Sequence, residues 1–308
     1  MPKTQDMQPE YGVRARELGP TDAGKALLLG LLLPSLIAAV LVIPDSWRRP
    51  FNTLGLPMVA IYLTRVKGLG LKKTFYLSRT WDPEFGWLAL FSAGIMSLTA
   101  LLANVVNWLT KGGLAKWAEL LPIEHRPESL FVDLLITAVL VPITEELMFR
   151  GFMLSAFSGW GRGWAVIFPS ILFAVVHLPL TMPGAFAMGV VAAIAVLRYR
   201  SLVPAVVMHA VGNFLPILTN QLVGLLEHPW GDVLGVGGLT AVAVLVFVFR
   251  RKFMWLWQEF RCLWQEFAEK PQLGLRFREL IKQWPWILLF IFIMINLVLI
   301  IVVPFIEV

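Results

Sequence analysis

Apolar residues in this chain come in long runs, and the polar residues collect between them. A helix that crosses a bilayer core takes about 20 apolar residues. Windows of that length place spans near 23–43, 52–66, 85–109, 129–157, 164–181, 183–200, 201–222, 233–250 and 285–303. The second is short and broken by Gly55 and Pro57. The pattern predicts an all-α, polytopic membrane bundle of about eight to nine transmembrane helices.

One segment follows a different rhythm. "LWQEF" at 256–260 returns at 263–267, and at about 100° per residue Phe253, Leu256, Trp257, Phe260, Leu263, Trp264 and Phe267 share one face. Arg261, Gln265, Glu266 and Glu269 fall elsewhere. This predicts an amphipathic helix lying in the headgroup region on the cytoplasmic side, since two repeats are too few for a coiled coil. No longer repeat and no linker sets off a soluble domain. The organisation expected is a single integral membrane domain over 1–308, with a motif-bearing core at 129–222, an amphipathic segment at 251–283 and a last spanning helix at 285–303.

Composition agrees. Of 308 residues, 58% are hydrophobic and 15% charged, against about 25% charged in a soluble domain, and the mean hydropathy is +0.74. The single cysteine, Cys262, excludes a disulfide framework. The first apolar run lacks a small-residue cleavage site after it, so it reads as a retained span. A net charge of +6 does not point to nucleic acid, because the bases are scattered through short loops. If all nine spans cross, Arg48, Arg49, Lys111, Lys116 and Arg126 lie on one side. The other side takes Lys3, Arg14, Arg16, the cluster Arg65, Lys67, Lys72, Lys73 and Arg79, then Arg162, Arg198, Arg200 and the bases from Arg250 to Lys282. That bias predicts a cytoplasmic N-terminus and a C-terminus on the opposite side. The membrane expected is a prokaryotic inner membrane.

Charge also enters an apolar run. "TEELMFRG" at 144–151 puts Glu145, Glu146 and Arg150 inside one spanning segment, where an ionised acid costs at least about 2.5–3.5 kcal/mol. Residues four apart stack on a helix and adjacent ones diverge by about 100°. Glu146 and Arg150 therefore pair, while Glu145 points another way. Alone, the stretch reads equally well as a solvated charge cluster at the boundary. Two histidines in other apolar runs shift the balance: His177 in "FAVVHLP", and His209 in "VVMHAVGNF" with Asn213 one turn later. At 1.5 Å rise per residue, Glu145, His177 and His209 lie roughly 20, 21 and 14 Å below the cytoplasmic helix ends. Helix tilt and uncertain helix ends absorb the difference.

Such a set suits hydrolysis. A carboxylate takes a proton from water, an imidazole orients that water or relays the proton, and an amide with an imidazole donates to an oxyanion. Glu145, His177 and His209 equally make a tetrahedral zinc set with water as the fourth ligand, and spacing does not separate the two cases. Acids and histidines inside a membrane also build ion or proton pathways in transporters, and a non-catalytic scaffold could keep them for packing. No inverted repeat supports transport.

In order, "EELMFR" from Glu145 to Arg150, "FAVVH" from Phe173 to His177, and "HAVGN" from His209 to Asn213 resemble the signatures of the CAAX prenyl protease and bacteriocin-processing (CPBP, or Abi) family of intramembrane proteases. The resemblance covers about residues 129–222. It implies that Glu145 activates water with help from His177, that His209 and Asn213 stabilise the oxyanion, and that Glu146 and Arg150 hold the site. It implies a membrane-associated peptide or protein substrate, whether prenylated, bacteriocin-like or signalling, reached from lipid or cytoplasm. The family is described both as metal-dependent and as glutamate-dependent without metal, so the cofactor expected is none or zinc.

Overall fold

In a computed structural model, the residues described are 17–78, 80–111, 129–177, 181–225, 247, 250–269 and 273–306. Among them every regular element is a helix. In chain order these are α1 (Pro20–Val40), α2 (Asp45–Val66), α3 (Leu71–Thr74) and α4 (Phe85–Leu109). A composite helix α5 follows, running from Leu130 to Phe157, and then α6 (Arg162–Val175), α7 (Met182–Tyr199), α8 (Val203–Leu225), α9 (Arg250–Glu269), α10 (Leu273–Ile281) and α11 (Trp284–Ile306).

The helices pack as α1 on α2 and α11, α4 on α8, α6 on α7, and α5 against α2, α6 and α8. Small residues set the closest approaches. A Cβ on Gly30 would lie 2.7 Å from the Leu56 carbonyl oxygen, and one on Gly55 2.1 Å from Pro34 Cγ, so α1 and α2 meet backbone to backbone. Without a hydrophobic force between helices in lipid, such close packing is what holds them together.

Polar contacts gather the ends of these helices into one layer. Lys67 reaches Asp22 at 2.6 Å, joining the end of α2 to the start of α1. Trp286 Nε1 donates to the Pro20 carbonyl at 3.0 Å, and Ser155 Oγ to that of Thr74 at 2.7 Å. Leu202 N donates to the Tyr76 carbonyl at 2.9 Å. Lys252 and Tyr199 both bond Glu84, and Arg162 pairs with Glu259 at 2.7 Å. Lys67, Lys72, Lys73, Arg162, Arg198, Arg200 and the bases of α9 and α10 all belong to this basic end. Arg48, Arg49 and Lys111 sit at the other.

Among the described residues, three helices are long and apolar enough to cross a membrane: Pro20–Val40, Phe85–Leu109 and Met182–Tyr199. A fourth is formed if Leu275–Ile281 and Trp284–Val298, bent by 85°, count as one span. The expected eight to nine spans are thus not confirmed, and the causes are local. Arg162–Val175 and Val203–Leu218 are apolar but short. The helix α2 contains Asp45, Arg48, Arg49 and Arg65 with two prolines, and α5 is divided by changes of helical geometry. The expected span at 233–250 lies outside the described residues, apart from Phe247 and Arg250, as do Lys3, Arg14, Arg16, Arg79, Lys116, Arg126 and Lys270.

The amphipathic helix forms, as α9, but its apolar stripe is split. Leu256 and Leu263 are buried against the protein, whereas Trp257 and Trp264 are 63% and 51% exposed. The side chains of Phe253, Phe267 and Glu269 lie outside the described residues.

Candidate active site

The site is built on α5, and α5 is irregular. Leu130–Asp133, Val141–Glu146 and Leu154–Phe157 are α-helical; Leu134–Leu140 and Leu147–Met153 between them are π-helical. Pro142 explains the first π stretch. It has no N–H for the Ala138 carbonyl, and its ring crowds that carbonyl in an α-helix; the wider ladder relieves both. Nothing in the structure explains the second. Glu145 and Glu146 close the short α segment between the two, and π segments recur at functional sites.

Glu146 is the hub. Its Oε1 accepts Arg150 Nη1 at 2.9 Å and lies 2.9 Å from His209 Nδ1 on α8. Glu146, Arg150 and His209 are 0%, 1% and 2% exposed. Phe173 on α6 fills the space between these groups. The Arg150 guanidinium sits 4.0 Å from its ring centre, the His209 ring meets it edge to face at 5.5 Å, and the His177 ring lies 4.5 Å away. Room for the guanidinium comes from Gly189 on α7, where a Cβ would stand 2.9 Å from Arg150 Nη2 and 3.1 Å from Ser170 Cβ.

Glu145 diverges from this hub as the helical spacing predicts. Its side chain is 23% exposed, and its Oε2 stands 3.8 Å from His209 Nε2, too far for a direct hydrogen bond. Glu145 Oε2, Glu146 Oε2 and Arg150 Nη2 are buried with no partner among the described residues. His177, just past the end of α6, lies against the same Phe173 ring that the His209 ring meets, which brings it to the same cluster. Asn213 is placed one turn beyond His209, but its amide turns to α5, donating to the Thr137 carbonyl at 2.8 Å within the first π segment. Thr137 in turn donates to Asp133 at 2.8 Å, which pairs with Arg49 at 3.5 Å.

Hydrogen bonds assign the tautomers. His177 Nδ1 lies 2.6 Å from the Phe173 carbonyl oxygen, which only accepts, so Nδ1 carries the proton and Nε2 is bare in the neutral ring. His209 Nδ1 likewise faces a carboxylate oxygen. Each neutral imidazole therefore offers a lone pair at Nε2, and His209 donates there only as an imidazolium. The arrangement holds one partly exposed carboxylate and two ring nitrogens able to take a proton, next to a fully buried carboxylate that compensates a cation. Among the described residues, no three His, Cys, Asp or Glu side chains are grouped so as to hold a metal ion.

The structure gathers Glu145, Glu146, Arg150, Phe173, His177 and His209, with Asn213 one turn beyond, and adds Gly189, Ser170 and the Thr137 carbonyl, which no motif contains. A lone glycine in the small-residue run "AMGVVAA" was the available signal for the first.

The sequence model of the Type II CAAX prenyl endopeptidase Rce1-like family matches residues 127–215, the stretch that holds all of these groups. This bears out the family resemblance for that stretch and supports, at family level, an integral membrane endopeptidase of CAAX-protease type. No curated protein and no solved structure matches the chain.

Proposed function

We propose that this protein hydrolyses a peptide bond of a membrane-associated peptide or protein, with water activated directly by Glu145. The observation that carries the reading is Glu145 Oε2, without a hydrogen-bond partner among the described residues and 3.8 Å from His209 Nε2; a water bonded to both would sit beside the line joining them, about 3 Å from each.

Glu145 takes a proton from that water as its oxygen attacks the scissile carbonyl carbon. His177 Nε2, bare in its tautomer, orients the water and relays the proton onward to the leaving amine when the C–N bond breaks. The developing oxyanion receives hydrogen bonds from His209 as imidazolium and from the Asn213 N–H not given to Thr137. Glu146 and the Arg150 guanidinium hold the His209 ring in place. The basic end of the bundle faces the cytoplasm by the usual charge bias, and the substrate arrives from that side or from the adjoining leaflet. A prenylated tail or a bacteriocin-like or signalling peptide fits this approach equally well.

The test is hydrolysis by the chain reconstituted in vesicles, offered a prenylated peptide and, separately, a leader-bearing peptide, in water enriched in heavy oxygen. One heavy oxygen in a newly formed carboxyl terminus is expected. Intact peptides of both classes would overturn the reading.

A further inference from the structure

The helix α9 divides its apolar stripe between two neighbours. The inner edge, Leu256 and Leu263, is buried in the protein and fastened by charge. Lys252 and Arg198 converge on Glu84, Arg198 lies over Trp255 at 4.2 Å, and Arg162 bonds Glu259 at 2.7 Å and, through its backbone N–H, Glu266 at 3.0 Å. These contacts tie α9 to the ends of α4, α6 and α7. The outer edge is an aromatic ridge, exposed at Trp257 and Trp264 and half-buried at Phe260 between them. Trp257 and Phe260 lie 6.0 Å apart, and Phe260 stacks on Trp264 at 6.4 Å.

The next helix lies across the one that follows it. The axis of α10 meets that of the apolar α11 at 85°. One face of α11 is buried through Trp286 and Leu289, and the others are exposed through Ile287, Ile291 and Met294. A helix perpendicular to a lipid-exposed apolar helix, at its end, lies in the plane of the membrane. Trp81 and Trp284, 72% and 52% exposed, occupy the same end of the bundle, and tryptophan favours that depth of a bilayer. Residues 250–282 carry eight Lys or Arg against four Glu.

We propose that α9 and α10 form a platform seated on an anionic lipid leaflet, with the Trp257, Phe260 and Trp264 ridge inserted at the boundary between headgroups and acyl chains. Arg261, Arg278 and Lys282, all exposed, stand at the level of the lipid phosphates. A lipid surface rather than a second copy is the occupant, because the ridge lies at the same end of the bundle as the exposed Trp81 and Trp284 and is flanked by unlike charge to that leaflet. The platform is clamped to the first turn of α6, the helix that carries Phe173, so it also sets the depth of the candidate site.

The one cysteine provides the test. Cys262 is exposed and, at about 100° per residue, lies roughly 170° from the middle of the ridge. A nitroxide is attached to Cys262 in the unmodified chain and, in Cys262→Ser chains, to Trp257→Cys or Trp264→Cys. Each is measured in vesicles of phosphatidylcholine with and without phosphatidylglycerol. The labels at 257 and 264 are expected to collide preferentially with oxygen, and the label on Cys262 with an aqueous nickel chelate. The oxygen preference at 257 and 264 should rise severalfold with phosphatidylglycerol and fall with added salt. Nickel preference at both ridge positions, oxygen preference at Cys262, or dipolar coupling between ridge labels of two copies would overturn the proposal; indifference to phosphatidylglycerol would overturn its anionic part. The label on Cys262 needs no substitution and reads out even if the tryptophan variants misfold.

Discussion

Replacing Arg150 with alanine is the sharpest test of the packing around the site. Arg150 is 1% exposed, bonds Glu146 at 2.9 Å and stacks on Phe173 at 4.0 Å. Its loss leaves the fully buried Glu146 carboxylate without a guanidinium, and breaking a buried pair from one side costs about 3–5 kcal/mol. A desolvated cation–π contact adds about 2 kcal/mol, though the two terms share one side chain and do not simply add. Arg150→Lys keeps the charge but not the planar fork or the stacking, so its cost is smaller, about 1–2 kcal/mol. Arg150→Met combined with Glu146→Gln removes both charges and keeps the volume. It should be less damaging than Arg150→Ala, because a neutral, well-packed replacement of a buried pair is often close to neutral. The assay is reversible unfolding in mixed micelles titrated with a denaturing detergent. Unfolding of Arg150→Ala within about 0.5 kcal/mol of the parent chain, the range of an ordinary surface change, or a double variant less stable than Arg150→Ala, would show that the buried pair does not hold the site.

Three further outcomes follow from the same geometry. Gly189→Ala drives a methyl to 2.9 Å from Arg150 Nη2 and 3.1 Å from Ser170 Cβ and should cost about 1–3 kcal/mol as overpacking, read in the same titration; a neutral result would show that α7 yields freely. Asn213→Asp keeps the shape but loses the amide donor, so kcat should fall about 10²–10³-fold with the helical signal retained, and unchanged turnover would remove Asn213 from the oxyanion site. Glu84→Gln loosens the junction of Lys252, Arg198 and Tyr199, and labels on α9 should become more mobile by spin resonance while those on α4 do not; equal mobility would mean that the junction does not hold the platform.

The pairing of Glu146 with Arg150 and the divergence of Glu145 were legible because they depend only on helical spacing, which even the π-helical turn between them preserves. The approach of His209 to Glu145 was legible from the motif set and from similar depths below the helix ends, whereas its contact with Glu146 was not, because helical spacing only pairs Glu146 with Arg150. The destination of the Asn213 amide was not. It depends on the Thr137 carbonyl, presented by a π-helical stretch whose one visible cause was Pro142. The number of spans is not confirmed among the described residues because apolar runs such as Arg162–Val175 form helices shorter than a full crossing, and a run that changes helical geometry midway looks continuous in sequence. On α9 the periodicity placed Leu256, Trp257, Leu263 and Trp264 on one face correctly. It did not show that the face meets two different neighbours, because helical spacing describes a helix and not what lies beside it.

The most direct measurement is the turnover of a cleavable lipidated peptide by the reconstituted chain and by its Glu145→Gln variant, with unfolding of both followed in parallel. The account predicts a loss of about 10²–10⁴-fold in kcat, the contribution of a positioned general base, without loss of stability. A glutamine variant that cleaves at the parent rate would contradict it.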